Sequence, residues 1–300
     1  MKKLRRTMMF CPASNPKMLF TAQIYNPDCI IFDLEDAVAY AEKDSARDLL
    51  CEALKAVDYG DIEVFARINA LYTPFGETDV RELVKAGLKN IRLPMCECSE
   101  DVQRLERLIE EVEKENGIEI GTVKIQCAIE TPKGVENAYE IAKASDRIVA
   151  ISIGAEDFTR SLGTERTKAG RELFYARTRV VIAASAAGVD SIDTVWADVS
   201  DMEGFISETK EAKNLGFSGK SYVHPAQVKE VHKIFTPTKE EIEKSLEIIH
   251  AANEAEKMNL GVITVNGKMV DFPVIQKAER IVSLAKGAGV YKEEGNNNGI

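Results

Sequence analysis

Acidic residues recur at one kind of place in this 300-residue chain, just after a short apolar run. "RIVAISIGAEDFT" delivers Glu156 and Asp157, "VKIQCAIE" delivers Glu130, and "CIIFDLED" carries Asp33, Glu35 and Asp36. Arg67 and Asn69 close "EVFARIN", and His224 follows "GFSGKSYV". Two carboxylates with room for water suit magnesium, a hard cation that keeps several waters and often takes only one or two protein ligands. An arginine fork matches a carboxylate. Together they would make a site for an oxygen-rich anion such as a keto acid.

Such groups need a scaffold that brings strand ends together. Eight β-rich runs, "TMMFCP", "CIIFDLE", "EVFARIN", "NIRLPM", "VKIQCAIE", "RIVAISIG", "VDSIDTVW" and "GFSGKSYV", alternate with segments of helical period. In "SEDVQRLERLIEEVEKEN" Val102, Leu105, Leu108, Ile109 and Val112 fall on one face, with Ser99 as the expected N-cap. "RELFYARTRVVIAASAAG" repeats the pattern and stops at Gly188. Continuously apolar strands separated by helices predict a buried parallel sheet, closed as an α/β (β/α)8 TIM-type barrel. An open doubly wound sheet is the alternative, but no Gly-x-Gly-x-x-Gly follows a strand.

In a barrel the carboxyl ends of the strands carry the chemistry. Strands five and six would be neighbours about 5 Å apart, so Glu130 and Asp157 can share one ion, with Asp36 holding one of its waters. The competing reading is that these acids cap the helices that follow, with Thr131 a cap in "IETPKGVENA". Arg67 either bridges to Asp33 or Glu35 or receives a substrate carboxylate. We read His224 as fixing a turn, His232 and His250 as surface residues, and Lys220 as lacking the desolvated setting of a Schiff-base lysine.

Composition excludes other classes. A formal charge of −10 argues against nucleic-acid binding. No apolar stretch is long enough to span a bilayer, and the N-terminal run from Met8 is broken by Pro12, too early for a signal peptide. Six cysteines without a disulfide spacing suit a reducing, cytoplasmic setting, and Cys96-Glu97-Cys98 alone is a poor zinc site. The expected division is a barrel over 1–235, a C-terminal helix–hairpin–helix extension over 236–290 and a disordered tail over 291–300. The hairpin would turn at Asn266-Gly267, and Pro273 would start the last helix.

Seven motifs in order, "RRTMMFCPASNPKM", "IIFDLEDAV", "FARINA", "IETPKGVENA", "SIGAEDFTRSLGT", "GKSYVHPAQV" and "NGKMVDFPVIQKAERI", carry a resemblance. From Arg6 to about Arg280 the chain resembles the citrate lyase β-subunit family within the HpcH/HpaI aldolase/citrate lyase group. That group also includes malyl- and citramalyl-CoA lyases. The resemblance implies a magnesium-dependent carbon–carbon lyase that cleaves a citryl-acyl carrier protein thioester to oxaloacetate and acetyl-acyl carrier protein.

It further implies Glu130 and Asp157 as Mg2+ ligands, Glu35 and Asp36 behind them, and Arg67 gripping the keto acid beside the Gly154-Ala155 backbone. Asp271 would be an acid on the C-terminal arm that reaches a neighbouring subunit's site and exchanges a proton with the product. The implied partners are an acyl carrier protein (γ) and an acyl transferase (α) subunit, in an assembly of trimers or larger. Two departures from the family pattern are Ala13, where Gly is usual, and Met95, where Lys is frequent. The competing functions are a malyl- or citramalyl-CoA lyase, and a scaffold that only positions a carrier protein.

Overall fold

The structure, a computed structural model, describes residues 3–257, 263–265 and 268–292. Eight parallel strands close into a barrel in sequence order. They are β1 Thr7–Pro12, β2 Cys29–Asp33, β3 Glu63–Arg67, β4 Asn90–Leu93, β5 Lys124–Ile129, β6 Ile148–Ile153, β7 Asp190–Asp193 and β8 Gly219–Tyr222. β1 pairs with both β2 and β8, so no strand edge is left open. All eight expected strands form, and the barrel is the expected one.

Above a charged floor, the inward positions run from apolar to charged along the strands. Cys29 and Ile31 lead to Asp33, and Phe65 leads to Arg67. Met8, Cys29, Ile31, Phe65, Ala150 and Ile192 pack as a fully buried cluster inside the barrel. At the amino end Arg5 donates to both oxygens of Glu63 (2.6 and 2.9 Å) and to Asp190 (2.8 Å), closing the barrel floor with a paired ion cluster. The charged carboxyl ends are left to line a cavity.

Local signals explain several helix ends. Thr131 accepts from the Gly134 N–H at 3.1 Å, and Gly188 leaves the helix Phe174–Ala187 at φ +75°, where a side chain would be strained. The helix Ser99–Glu115 buries Val102, Leu105, Leu108, Ile109 and Val112 as its period requires. Its cap differs from expectation. Ser99 is already helical, and the Asp101 carboxylate accepts from the N–H groups of Glu97 and Cys98 (2.9 and 3.1 Å). Cys98 is the N-cap, its side chain accepting from the Asp101 N–H to complete a reciprocal capping box.

The chain divides into two compact units, Arg5–His232 and a second made of the residues before Arg5 with those from Lys233 onward. In the second, the helices Lys239–Lys257 and Phe272–Gly287 pack together. β9 (Ile263–Val265) pairs antiparallel with β10 (Lys268–Val270), Val265 opposite Lys268. The expected turn residues Asn266 and Gly267, and residues 293–300 of the expected tail, lie outside the described residues. Among the described residues no helix is long and apolar enough to cross a membrane.

Candidate active site

A cavity of about 410 Å³ opens at the carboxyl ends of the strands. Asp36, Arg67, Glu130, Gly154, Ala155 and Asp157 all line it, so the barrel gathers the residues expected at the site. Glu35 stands beside it, with its carboxylate 2.9 Å from Arg67 Nη1. Asp271 belongs to the other unit. It is exposed there and caps the helix Phe272–Gly287, accepting from the Val274 N–H at 3.3 Å.

Glu130 follows β5 and is 3% exposed. One of its oxygens accepts from the Met95 N–H at 2.7 Å. The other packs against Gly154, where a Cβ would come within 2.6 Å of Oε1 and of Cγ. Gly154 thus has no side chain because the carboxylate occupies its space. Met95 delivers its N–H from a left-handed conformation, φ +50°, which is uncommon for a residue other than glycine. Burial raises the Glu130 carboxyl above its ordinary range and nearby Asp157 adds to that, while Arg92 and Arg67 oppose it.

Asp157 lies in the first turn of the helix Ala155–Leu162, where an acid also complements the helix dipole. Its Oδ1 accepts from Arg160 at 2.5 Å. The adjacent Glu156 turns to Arg166 instead. The Gly154 and Ala155 N–H groups are used internally, on Ile129 O (2.9 Å) and Thr194 Oγ1 (3.1 Å). Both residues therefore border the cavity without aiming a free amide into it.

Arg67 takes the bridging role in this state. Nε and Nη2 reach the two oxygens of Asp33 at 2.7 and 2.6 Å, and Nη1 is 3.1 Å from Asp36 and 2.9 Å from Glu35. Burial works against this guanidinium's charge, but Asp33 outweighs it and the pKa rises. Burial, with Glu130, Asp36 and Asp33 nearby, pushes the Glu35 carboxyl up to about 8 despite Arg67. Asn69 faces away from this cluster, with its N–H and Nδ2 both on Asp79.

The acids outnumber the cations at the cavity wall, and that imbalance suits a bound cation. The fit is to a hard one. Glu130 and Asp157 offer carboxylate oxygens, and among the described residues no three acidic, cysteine or histidine side chains converge as a ligand set. Two protein carboxylates with water completing the shell match a small divalent ion rather than zinc or calcium.

Other expectations are corrected or refined. Lys220 is fully desolvated, contrary to expectation, but Nζ donates to Asp193 (2.9 Å), Thr194 O (2.8 Å) and Glu208 (2.6 Å). All three N–H groups are engaged, which leaves no lone pair for a nucleophile. His224 Nδ1 accepts from the Ala226 N–H at 3.2 Å and fixes the turn as expected. His232 is only half-buried, with Nε2 3.0 Å from Thr7 Oγ1 and 3.4 Å from Asp28. Ala13 is fully buried, its N–H on Asp33 O, and so packs beneath the site.

Sequence reasoning missed Arg92. It is an arginine in the otherwise apolar "NIRLP" at a strand's carboxyl end, the same signal that singled out Arg67. It lines the cavity at 3% exposure, beside Arg67 in the β3–β4 register. Phe10, with its ring 5.4 Å from the Arg67 Cζ and 5.2 Å from that of Arg92, was missed as well.

A closed barrel with paired acids and arginines at its carboxyl end defines a barrel lyase or aldolase class of site. The chain belongs to the HpcH/HpaI aldolase/citrate lyase family, whose profile matches residues 6–225. It is 48% identical over 295 residues to the citrate lyase subunit beta of Leuconostoc mesenteroides subsp. cremoris, covering 98% of each chain. It is 32% identical over 308 residues to the L-malyl-CoA/beta-methylmalyl-CoA lyase of Rhodobacter capsulatus, 96% of each being covered. Among solved structures it resembles the citrate lyase beta subunit of Mycobacterium tuberculosis complexed with oxaloacetate and magnesium. That match is 30% identical at a TM-score of 0.67, covering 78% of this chain and 98% of that one.

Proposed function

We propose that this protein is a magnesium-dependent carbon–carbon lyase that cleaves a citryl thioester on an acyl carrier protein into oxaloacetate and an acetyl thioester. The observation that carries the reading is the convergence of Glu130, Asp157 and Arg67 on one cavity. The 48% identity to a citrate lyase subunit beta over 98% of the chain supports it against the more distant malyl-CoA lyase. A scaffold would gain nothing from that convergence.

Glu130 and Asp157 would hold Mg2+, with Glu35 and Asp36 behind them. When bound, Mg2+ supplies Lewis-acid stabilisation of charge developing on the substrate's tertiary hydroxyl oxygen. A base takes the hydroxyl proton, and that oxygen becomes the oxaloacetate ketone as the carbon–carbon bond breaks. Arg67 pins a substrate carboxylate, exchanging part of its contact with Glu35 and Asp36 for it. The departing carbon becomes a thioester enolate, a far better leaving group than an acetate dianion. Asp271, contributed by a neighbouring copy, donates a proton to that carbon. The wider assembly would include the carrier-protein (γ) and acyl-transferase (α) subunits around a trimer or larger β oligomer. Six free cysteines, five of them buried, suit a cytoplasmic setting.

The test is direct. Purified protein with citryl thioester and Mg2+ forms oxaloacetate, chelation stops it, and Glu130→Gln or Asp157→Asn lowers kcat/KM by roughly 1,000-fold. A protein that makes no oxaloacetate even with the carrier protein present refutes the assignment. Faster turnover of malyl- or citramalyl-CoA moves it to that branch of the family. Full activity of the assembled complex carrying these variants, when the purified chain alone makes no oxaloacetate, favours a scaffold.

A further inference from the structure

We propose that Arg92 receives the second carboxylate of the substrate, the carboxymethyl group that a citryl thioester carries and a malyl or citramalyl thioester lacks. This deepens the lyase reading above and rests on it.

Arg67 and Arg92 are register partners on β3 and β4, so both guanidiniums rise from the same interior face. Their states differ. Asp33 holds Arg67 in a fork, and Glu35 and Asp36 share its remaining terminal nitrogen. Arg92 Nε and Nη1 are shut off from solvent without a hydrogen-bond partner. Among the described residues no carboxylate forms an ion pair with Arg92. Phe10 supports the guanidinium from one side, and Arg92 forms part of the cavity wall. Burial draws its pKa down to about 10, with Glu130 pulling the other way and Arg67 adding repulsion, so it is still a cation at neutral pH.

A buried cation without a partner is a cost that folded proteins rarely carry without a use. Here the use follows from charge. A doubly anionic substrate must enter a cavity bordered by Asp33, Asp36, Glu130 and Asp157. One divalent ion and an arginine already committed to three carboxylates leave the second substrate carboxylate without a partner. Arg92 is the cation with capacity left to meet it. Pyruvate and glyoxylate, the keto acids released from citramalyl and malyl thioesters, have no such group.

The experiment measures binding first. With Mg2+ present, calorimetry compares oxaloacetate and pyruvate on wild type, Arg92→Met and Arg92→Lys. Wild type should prefer oxaloacetate. Arg92→Met should weaken oxaloacetate about 100-fold while pyruvate changes by less than about threefold, and Arg92→Lys should fall between. Retained pyruvate binding shows that the variant is folded. In turnover, Arg92→Met should shift preference from citryl toward citramalyl thioester.

Equal loss of both keto acids would make Arg92 a structural or general-field cation and overturn the proposal. So would an intact oxaloacetate preference in Arg92→Met. The two readings fail separately. If wild type cleaves citryl thioester but Arg92→Met keeps its preference, only this inference falls. If wild type cleaves no citryl thioester yet its oxaloacetate preference depends on Arg92, this inference stands and the reaction assignment falls.

Discussion

Gly154 shows how tightly the candidate metal acids are held. Any side chain there meets the Glu130 carboxylate, and the backbone at Met95 grips the other oxygen. Gly154→Ala should therefore displace Glu130 by several tenths of an ångström and lower kcat/KM about 100-fold, with only a small change in melting temperature. Steady-state kinetics alongside a thermal melt would check this, and a variant of normal activity would show that Glu130 does not depend on that contact. The positions of Glu130 and Asp157 were legible in the chain, because an acid just past an apolar run marks a strand end. The roles of Gly154 and Met95 were not. A close approach and a left-handed N–H donor emerge only when β5 and β6 are set side by side.

At the scale of elements, Asp28 joins the starts of the first two strands to the helix Val228–Phe235. It accepts from the Arg6 N–H at 2.9 Å and from Arg6 Nε and Nη2, both at 2.8 Å, with His232 at 3.4 Å. Burial opposes its charge, yet Arg6 and His232 hold its pKa well below the usual carboxylate range. A folded-state value below the unfolded one adds stability above about pH 4, and that stability is lost as pH falls through the folded value. Asp28→Asn should cost about 2 kcal/mol at neutral pH, with the gap to wild type narrowing below about pH 4. Urea unfolding across that range reads it, and a gap constant with pH would contradict the ion-pair account. Helix and strand periods predicted the elements here well, because burial on one face is a local pattern. Caps from distant or charged side chains, such as Asp101, were harder to see.

At the scale of the whole molecule, the proposed role of the second unit in catalysis is that Asp271 reaches a site in another copy. Asp271→Ala should then lower kcat while leaving oxaloacetate affinity within about threefold. Mixing it with the inactive Glu130→Gln protein under subunit exchange should restore part of the activity, because each oligomer then contains intact composite sites. No recovery in such mixtures would place Asp271 in its own chain's site or outside catalysis.

The chain alone determined eight strands, their helices, the acids at the strand ends and the caps at Thr131 and Gly188, because period and capping act within a few residues. Tertiary structure decided which charges meet. Arg67 was open to either role until the barrel register set Asp33 beside it, and the same register left Arg92 buried with no carboxylate paired to it among the described residues. Pairing across neighbouring strands and the desolvation that follows barrel closure are properties of the assembled ring, and no one-dimensional pattern contains them.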